Sequence, residues 1–241
     1  HPVAHSFPTR RSSDLGEYVA ACVAGVFSLE DGLKLIAQRG MLMQSLPKDG
    51  EMVSVMASEA EVAELIADVG VGLKPTLAAI AAINGPESVV ISGKQEAVAA
   101  ITATLIAKEI KTQKLAVSRA FHSPLMEPML PDFARVAREV VYSQPKIDLI
   151  SNVTGELASD EITTPEYWCR HIRQPVRFAA SMETLHDGGY ELFLECGPKP
   201  ILLGMGRKCL PEGVGVWLPS LRSGQKDWQQ MLQSLSELYV R

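Results

Sequence analysis

Nothing in this chain of 241 residues is apolar for long enough to cross a membrane. The longest candidate, around Leu77 to Ile83, stops at Asn84-Gly85-Pro86, well short of the roughly 18 residues a spanning helix requires. Basic charge is not in excess either: 23 Lys and Arg face 28 Asp and Glu, for a net charge of -5. That balance excludes wrapping a nucleic acid backbone, which demands a concentrated basic surface. Cysteine is scarce. Cys22, Cys169, Cys196 and Cys209 are scattered, with no CxxC pair for a structural zinc site. A chain of this size needs no disulfide staples, so free thiols in a reducing cytoplasm are expected. Internal repeats and low-complexity tracts are missing as well. What remains is ordinary globular material, 46% apolar and 21% charged, enough for one good-sized domain or one domain carrying a smaller one.

The pattern along the chain changes twice. Tyr18 to Ala24 reads as a short apolar helix ended near Gly25. Ser28 then precedes a helical stretch, Leu29 to Leu46, with Glu30 and Asp31 in its first turn. Ser28 suits the cap, although Asp31 stands where a capping box prefers Glu or Gln. After Pro47-Lys48-Asp49-Gly50 the rhythm becomes strand (Met52 to Met56), helix (Glu59 to Val69), strand (Thr76 to Ile83), strand (Ser88 to Ser92), helix (Gln95 to Ile110), strand (Lys114 to Val117). That is the order of a ferredoxin-like unit. Beyond His122 a helix is expected through Phe133, Val136 and Val140, with a turn and restart forced by Pro128 and Pro131. Then come a strand (Ile147 to Ser151), two helical pieces (Trp168 to Arg173, Phe178 to Asp187), a strand (Tyr190 to Glu195) and a helix opened by Gly197-Pro198. A strand (Val214 to Leu218) and a terminal helix (Trp228 to Leu238) complete the chain. Strands alternating with helices predict an α/β fold, a parallel sheet flanked by helices, with the ferredoxin-like unit inserted.

Three places stand out chemically. His122 precedes Ser123-Pro124, a helix-start signal. A histidine beside a helix N-terminus is favoured in its neutral form, which a general base needs. A structural histidine bonded to backbone is the alternative. Arg39 lies in an apolar stripe with Leu35, Leu42 and Met43. There an arginine either snorkels or meets an anion, and its planar fork suits a carboxylate. Glu195-Cys196-Gly197-Pro198 joins a strand to a helix, where α/β sites assemble. Turn chemistry explains it equally well, and Cys196 is expected to be a small buried residue.

The run His5 to Leu15 resembles a translated sequencing adapter, matching in order and without gaps, and is set aside from fold reasoning. Residues 1–15 are therefore expected to be foreign. From Gly16 onward the chain is identified as similar to the acyltransferase domain of modular polyketide synthases, related to malonyl-CoA:acyl carrier protein transacylases. The residues that carry the resemblance include Gly16-Glu17-Tyr18, Arg39-Gly40, Gly50 with Met52, Asn84-Gly85-Pro86, Ala120-Phe121-His122-Ser123, Ser151-Asn152-Val153-Thr154-Gly155, Tyr167-Trp168, Pro175-Val176-Arg177-Phe178, Glu195-Cys196-Gly197-Pro198 and Leu221-Arg222.

The resemblance implies an α/β-hydrolase-like large subdomain over 16–48 and 118–241 and a ferredoxin-like small subdomain over 49–117. It implies transfer of a malonyl-type unit from coenzyme A, through a serine ester, to the phosphopantetheine thiol of an acyl carrier protein. No permanently bound cofactor is expected, and neither are a metal, nucleic acid or membrane. Neighbouring synthase domains are the further partners. His122 matches the base, Arg39 the carboxylate-binding arginine, and His171 the residue whose backbone carbonyl orients the base. Phe121, Met52 and Asn84 fall in the substrate site. Two departures stand against these matches. Asp14 holds the position of the nucleophilic serine, and an upstream glutamine-bearing strand and loop, which complete the oxyanion hole, have no counterpart. Loss of that sheet segment implies exposed apolar surface, and loss of the serine implies inactivity. The alternatives are a thioesterase-like acyl hydrolase and a non-catalytic carrier-protein docking fragment.

Overall fold

The computed structural model describes residues 13–70, 77–117 and 119–240. Residues 1–12, most of the foreign run expected above, lie outside the described residues. Its last two residues before Gly16, Asp14 and Leu15, lie in helix α1 (Ser13–Ala24).

A turn at Gly25, where φ is +83°, separates α1 from α2 (Leu29–Ser45). A left-handed residue there is costly for anything with a Cβ. Ser28 caps α2 in both directions. Its hydroxyl accepts from the Asp31 N–H at 3.0 Å and donates to the Asp31 carboxylate at 2.8 Å, so the shorter acid does serve at the third helical position.

The middle of the chain forms β1 (Gly50–Val55), α3 (Glu59–Gly70), β2 (Ala78–Gly85), β3 (Ser88–Lys94), α4 (Gln95–Ala107) and β4 (Thr112–Lys114). The strand order is β2-β3-β1-β4, and every neighbouring pair is antiparallel. That is the ferredoxin-like arrangement. The period-2 pattern of β1 divides its two faces. Val53 and Val55 point into a core with Val62, Leu65, Val98, Ile101 and Leu105 from α3 and α4. Met52 points the other way, into a second core with Ala82, Val90, Leu115, Val176 and Phe178. This second face is the one that carries the site. Gly50 lets the chain before His122 pass against the sheet: a Cβ there would lie 2.4 Å from the Ala120 backbone nitrogen.

The closing strand ends earlier than the sequence predicts, at Lys114 rather than Val117. Leu115 still donates its N–H to Met52 O at 3.0 Å, after which the chain turns toward His122. The turn and restart appear as a 3₁₀ segment (Pro124–Met129) followed by α5 (Leu130–Ala137), which ends short of Val140.

The expected strand Ile147 to Ser151 forms only an isolated bridge, Ile150 to Leu157. Its neighbourhood spends its backbone groups on the end of α1 and on its own return loop: Lys146 N–H bonds Ala24 O, Ala158 N–H bonds Leu149 O, and Ser151 N–H bonds Glu156 O. Helices α6 (Pro165–Arg173), α7 (Phe178–Asp187), α8 (Ile201–Cys209) and α9 (Asp227–Tyr239) follow as expected. Between them β5 (Leu192–Glu195) and β6 (Val216–Pro219) pair in parallel, the parallel sheet found among the described residues.

Helices α1, α2, α5 and α6 enclose a third core around Tyr18, Phe27, Leu35, Phe133 and Trp168. Trp168 is fully buried, and its indole N–H is satisfied by Ile162 O at 3.0 Å. Truncating such a residue to alanine costs about 3–5 kcal/mol. The opposite side of α1 is bare: Leu15, Val19 and Val23, four residues apart, are all exposed, as is Leu194 on β5. No helix among the described residues is long and apolar enough to cross a membrane.

Candidate active site

The N-terminus of α1, the middle of α2, β1, β2, the loop after β4 and the first turns of α8 line one cleft of about 360 Å³. Its walls include Asp14, Arg39, Met52, Asn84, Phe121 and His122. These residues come from five separate stretches of sequence, and the fold brings them together. Among the described residues there is no cluster of side chains able to hold a metal ion.

His122 is buried and adopts φ +55°, a left-handed conformation rare for a residue with a Cβ. The surrounding turn holds it there. The Ser123 hydroxyl donates to Ala120 O at 2.7 Å and accepts from the Leu125 N–H at 3.2 Å. The ring is fixed on both sides. Nδ1 lies 2.8 Å from Gln174 O, and Nε2 lies 3.4 Å from Asp14 Oδ2.

The orienting carbonyl was expected from His171. The structure places it three residues later, at Gln174, and puts the His171 ring on Glu17 instead, with Nε2 3.1 Å from Oε2. Gln174 is the residue before Pro175. Proline excludes its predecessor from helical geometry, so Gln174 caps α6 with ψ 158°. Its carbonyl therefore turns off the helix axis and is free to meet His122. The X-Pro pair at a helix end was the sequence signal for this role. Glu17 carries no such signal, because an acid one turn into a helix ordinarily reads as a surface residue.

Arg39 does not snorkel. It is 3% exposed and meets an anion: its Nη2 donates to Asp14 Oδ2 at 2.6 Å. Its guanidinium also lies over the Tyr18 ring, 5.5 Å from the centroid. Among the described residues, Nε and Nη1 have no hydrogen-bond partner, so the fork is only partly used. Asp14 thus touches both Arg39 and His122 with the same carboxylate oxygen.

Burial opposes ionisation of Asp14, but the His122 hydrogen bond and the Arg39 charge outweigh it and hold the carboxyl well below the usual range. A carboxyl whose value is depressed on folding adds stability that is fully present above its ordinary value of 3.8. That stability is lost as pH falls towards the lowered folded value. Asp14→Asn is therefore expected to be less stable than the parent at neutral pH and to lose part of the acid-side slope. Denaturant midpoints measured between about pH 2 and 6 check this. Parallel profiles for the two proteins would contradict it.

The segment Glu195-Cys196-Gly197-Pro198 lies apart from this chemistry. The Glu195 carboxylate accepts from the Ile201 and Leu203 N–H groups at 3.1 and 2.9 Å, capping α8. Cys196 is exposed rather than buried.

A histidine oriented through Nδ1 by a carbonyl, with Nε2 aimed at a side chain on a helix N-terminus, is the arrangement of a nucleophile and its base. The arginine beside it is paired with the Asp14 carboxylate. Comparison with known proteins agrees. Residues 13–240 match the family model described as "Acyl transferase domain". The chain is 51% identical over 226 residues to the phenolphthiocerol synthesis polyketide synthase type I Pks15/1 of Mycobacterium bovis, covering 94% of this chain and 10% of that protein. It is 44% identical over 229 residues to the mycoketide-CoA synthase of Mycobacterium tuberculosis, covering 94% of this chain and 5% of that protein. The chain thus spans a small fraction of the curated relatives it matches. Among solved structures, the acyltransferase domain from the second module of the salinomycin polyketide synthase superposes with a TM-score of 0.88 at 42% identity, over 94% of this chain and 52% of that one. FabD from Acinetobacter baumannii gives a TM-score of 0.85 at 27% identity, over 94% and 71%. A histidine held by a carbonyl, an arginine poised for a carboxylate and a match along nearly the whole described chain lead to one conclusion: the chain belongs to the acyl transferase domain family of polyketide synthases and malonyl-CoA:acyl carrier protein transacylases.

Proposed function

We propose that this site is built to move a malonyl-type unit from coenzyme A to the phosphopantetheine thiol of an acyl carrier protein, and that Asp14 disables it. The single observation carrying this reading is the contact of one side chain, at position 14, with both His122 Nε2 and Arg39. In a working site a serine at that position attacks the thioester carbonyl while His122 takes its proton. The coenzyme A sulfur leaves and receives that proton. The carrier thiol then attacks the ester, its proton passes through His122, and the serine is regenerated. Arg39 holds the free carboxylate of the acyl unit throughout. Asp14 has no proton to give, and its carboxylate sits on the arginine where the substrate's would bind. For this chain the non-catalytic reading, carrier-protein docking without loading, follows from the same contact. A thioesterase is disfavoured, because release of a finished chain needs no arginine for a free carboxylate.

The partners in this reading are a carrier protein and neighbouring synthase domains in the cytoplasm. The large subdomain comprises 16–48 and 118–241, and the small one 49–117. Met52, Asn84 and Phe121 shape the acyl pocket. Phe121 adjoins the base and crowds any methyl on the substrate's α-carbon. One added group of that size is worth roughly 10 to 200-fold in selectivity. With serine restored at position 14, kcat/KM for malonyl-CoA is expected to exceed that for methylmalonyl-CoA within that range. Arg39→Ala in the same background is expected to weaken malonyl loading and make acetyl-CoA relatively more competitive. Equal or reversed values for the two extender units would remove Phe121 from the selectivity argument.

A further inference from the structure

Glu17 is a carboxylate with no business in an apolar core: its side chain is 1% exposed. A buried charge persists only when it is paired and hydrogen-bonded. Glu17 has three donors. Tyr167 donates its hydroxyl proton to Oε1. The Asn152 N–H donates to Oε2 at 3.0 Å, and His171 Nε2 lies 3.1 Å from the same oxygen. Tyr167 is held in turn by Ser151 Oγ at 2.6 Å, and Ser151 Oγ accepts from the Val153 and Thr154 N–H groups. His171 packs edge-on against Tyr18, ring centres 5.3 Å apart. The acid thus fastens three pieces at once: α1, the 151–154 turn and the last turn of α6.

Those pieces are the ones that set the reacting geometry. Glu17 lies three residues after Asp14, on the same side of α1. His171 lies three residues before Gln174, whose carbonyl meets His122 Nδ1. The contacts close a ring that runs from position 14 to Glu17 along α1, across to His171, along α6 to Gln174, to His122, and back to position 14 through Nε2. We propose that Glu17 is a positioning residue that fixes the distance between the side chain at position 14 and the His122 ring by tying the N-terminus of α1 to the C-terminal turn of α6. Glu17 itself does not reach the cleft and touches no reacting atom. The proposal rests on the reading of position 14 and His122 as the acyl-transfer pair.

The test uses the full chain in two forms. In the chain as it stands, ring nitrogen NMR of His122 is compared with and without Glu17→Gln, alongside thermal unfolding. In the Asp14→Ser background, malonyl-CoA loading is measured with and without Glu17→Gln. A positioning role predicts displaced His122 ring signals in a folded protein. It also predicts a fall in kcat of up to about 10²-fold, the scale for a misplaced reacting group, with KM little changed. His122 signals that superimpose in a folded Glu17→Gln protein would overturn the proposal, as would an unchanged kcat. Should Glu17→Gln not fold, Tyr167→Phe removes one donor and leaves the His171 contact, and the same comparison of His122 decides. An Asp14→Ser chain that never loads, while His122 still responds to Glu17→Gln, sinks the acyl-transfer reading and leaves the link between Glu17 and His122 standing.

Discussion

Incubated with malonyl-CoA, the chain carrying Asp14 is expected to gain no acyl group, whereas Asp14→Ser gains one at residue 14. A carboxylate at this position is a poor acyl acceptor and has no proton for His122 to remove. A serine there would face Nε2 of a ring already oriented by Gln174 O at 2.8 Å. Removing the nucleophile from a dyad or triad lowers turnover by about 10⁴-fold or more, so the two proteins should differ by a margin no assay can miss. Intact-mass measurement detects the adduct, and peptide mapping places it. An adduct on Ser12 or Ser13 in the Asp14 chain would show that the nucleophile lies elsewhere. If Asp14→Ser also stays unlabelled, the reading of position 14 and His122 as the acyl-transfer pair falls.

The second large effect is on stability. Asp14→Ala should destabilise the protein by about 3–5 kcal/mol, because it leaves the Arg39 charge buried without its anion. Replacing both members, Asp14→Ala with Arg39→Met, should cost much less, since no uncompensated charge remains. Urea midpoints for the single and double variants measure the difference. The same vacancy makes a ligand prediction: malonate should raise the unfolding midpoint of Asp14→Ala by restoring a carboxylate to Arg39. It should scarcely move that of the parent, where Asp14 holds Nη2 at 2.6 Å. A single variant as stable as the double would mean that solvent reaches Arg39 and that the pair is not the buried grip described here.

Local pattern was enough for most elements, because it is local physics that makes them. The alternation in β1, the Gln95 start of α4 and the helix-start signals at Ser28 and Ser123-Pro124 need no distant partner to be read. The strand order β2-β3-β1-β4 followed from element order alone, since few topologies accommodate that sequence of strands and helices. Periodicity failed where a segment's backbone partners are set by a neighbour. The stretch before Ser151 is apolar and strand-like, yet it spends its bonds on the end of α1 and on its own return loop.

The amino-acid sequence by itself determined the α/β class, the inserted ferredoxin-like unit, and His122 and Arg39 as candidates for a base and a carboxylate-binding residue. These are properties of residue type and spacing. Only the tertiary structure decided what each of them touches. It gave the orienting carbonyl to Gln174 rather than His171, drew Glu17 inward, and closed Asp14 onto Arg39. Each of those contacts joins residues 25 to 154 positions apart. Periodicity reports which face of an element is apolar, but not which buried charge lies opposite it. That pairing is fixed when the cores on both sides of the cleft pack and leave a buried ion no choice but the partner within reach.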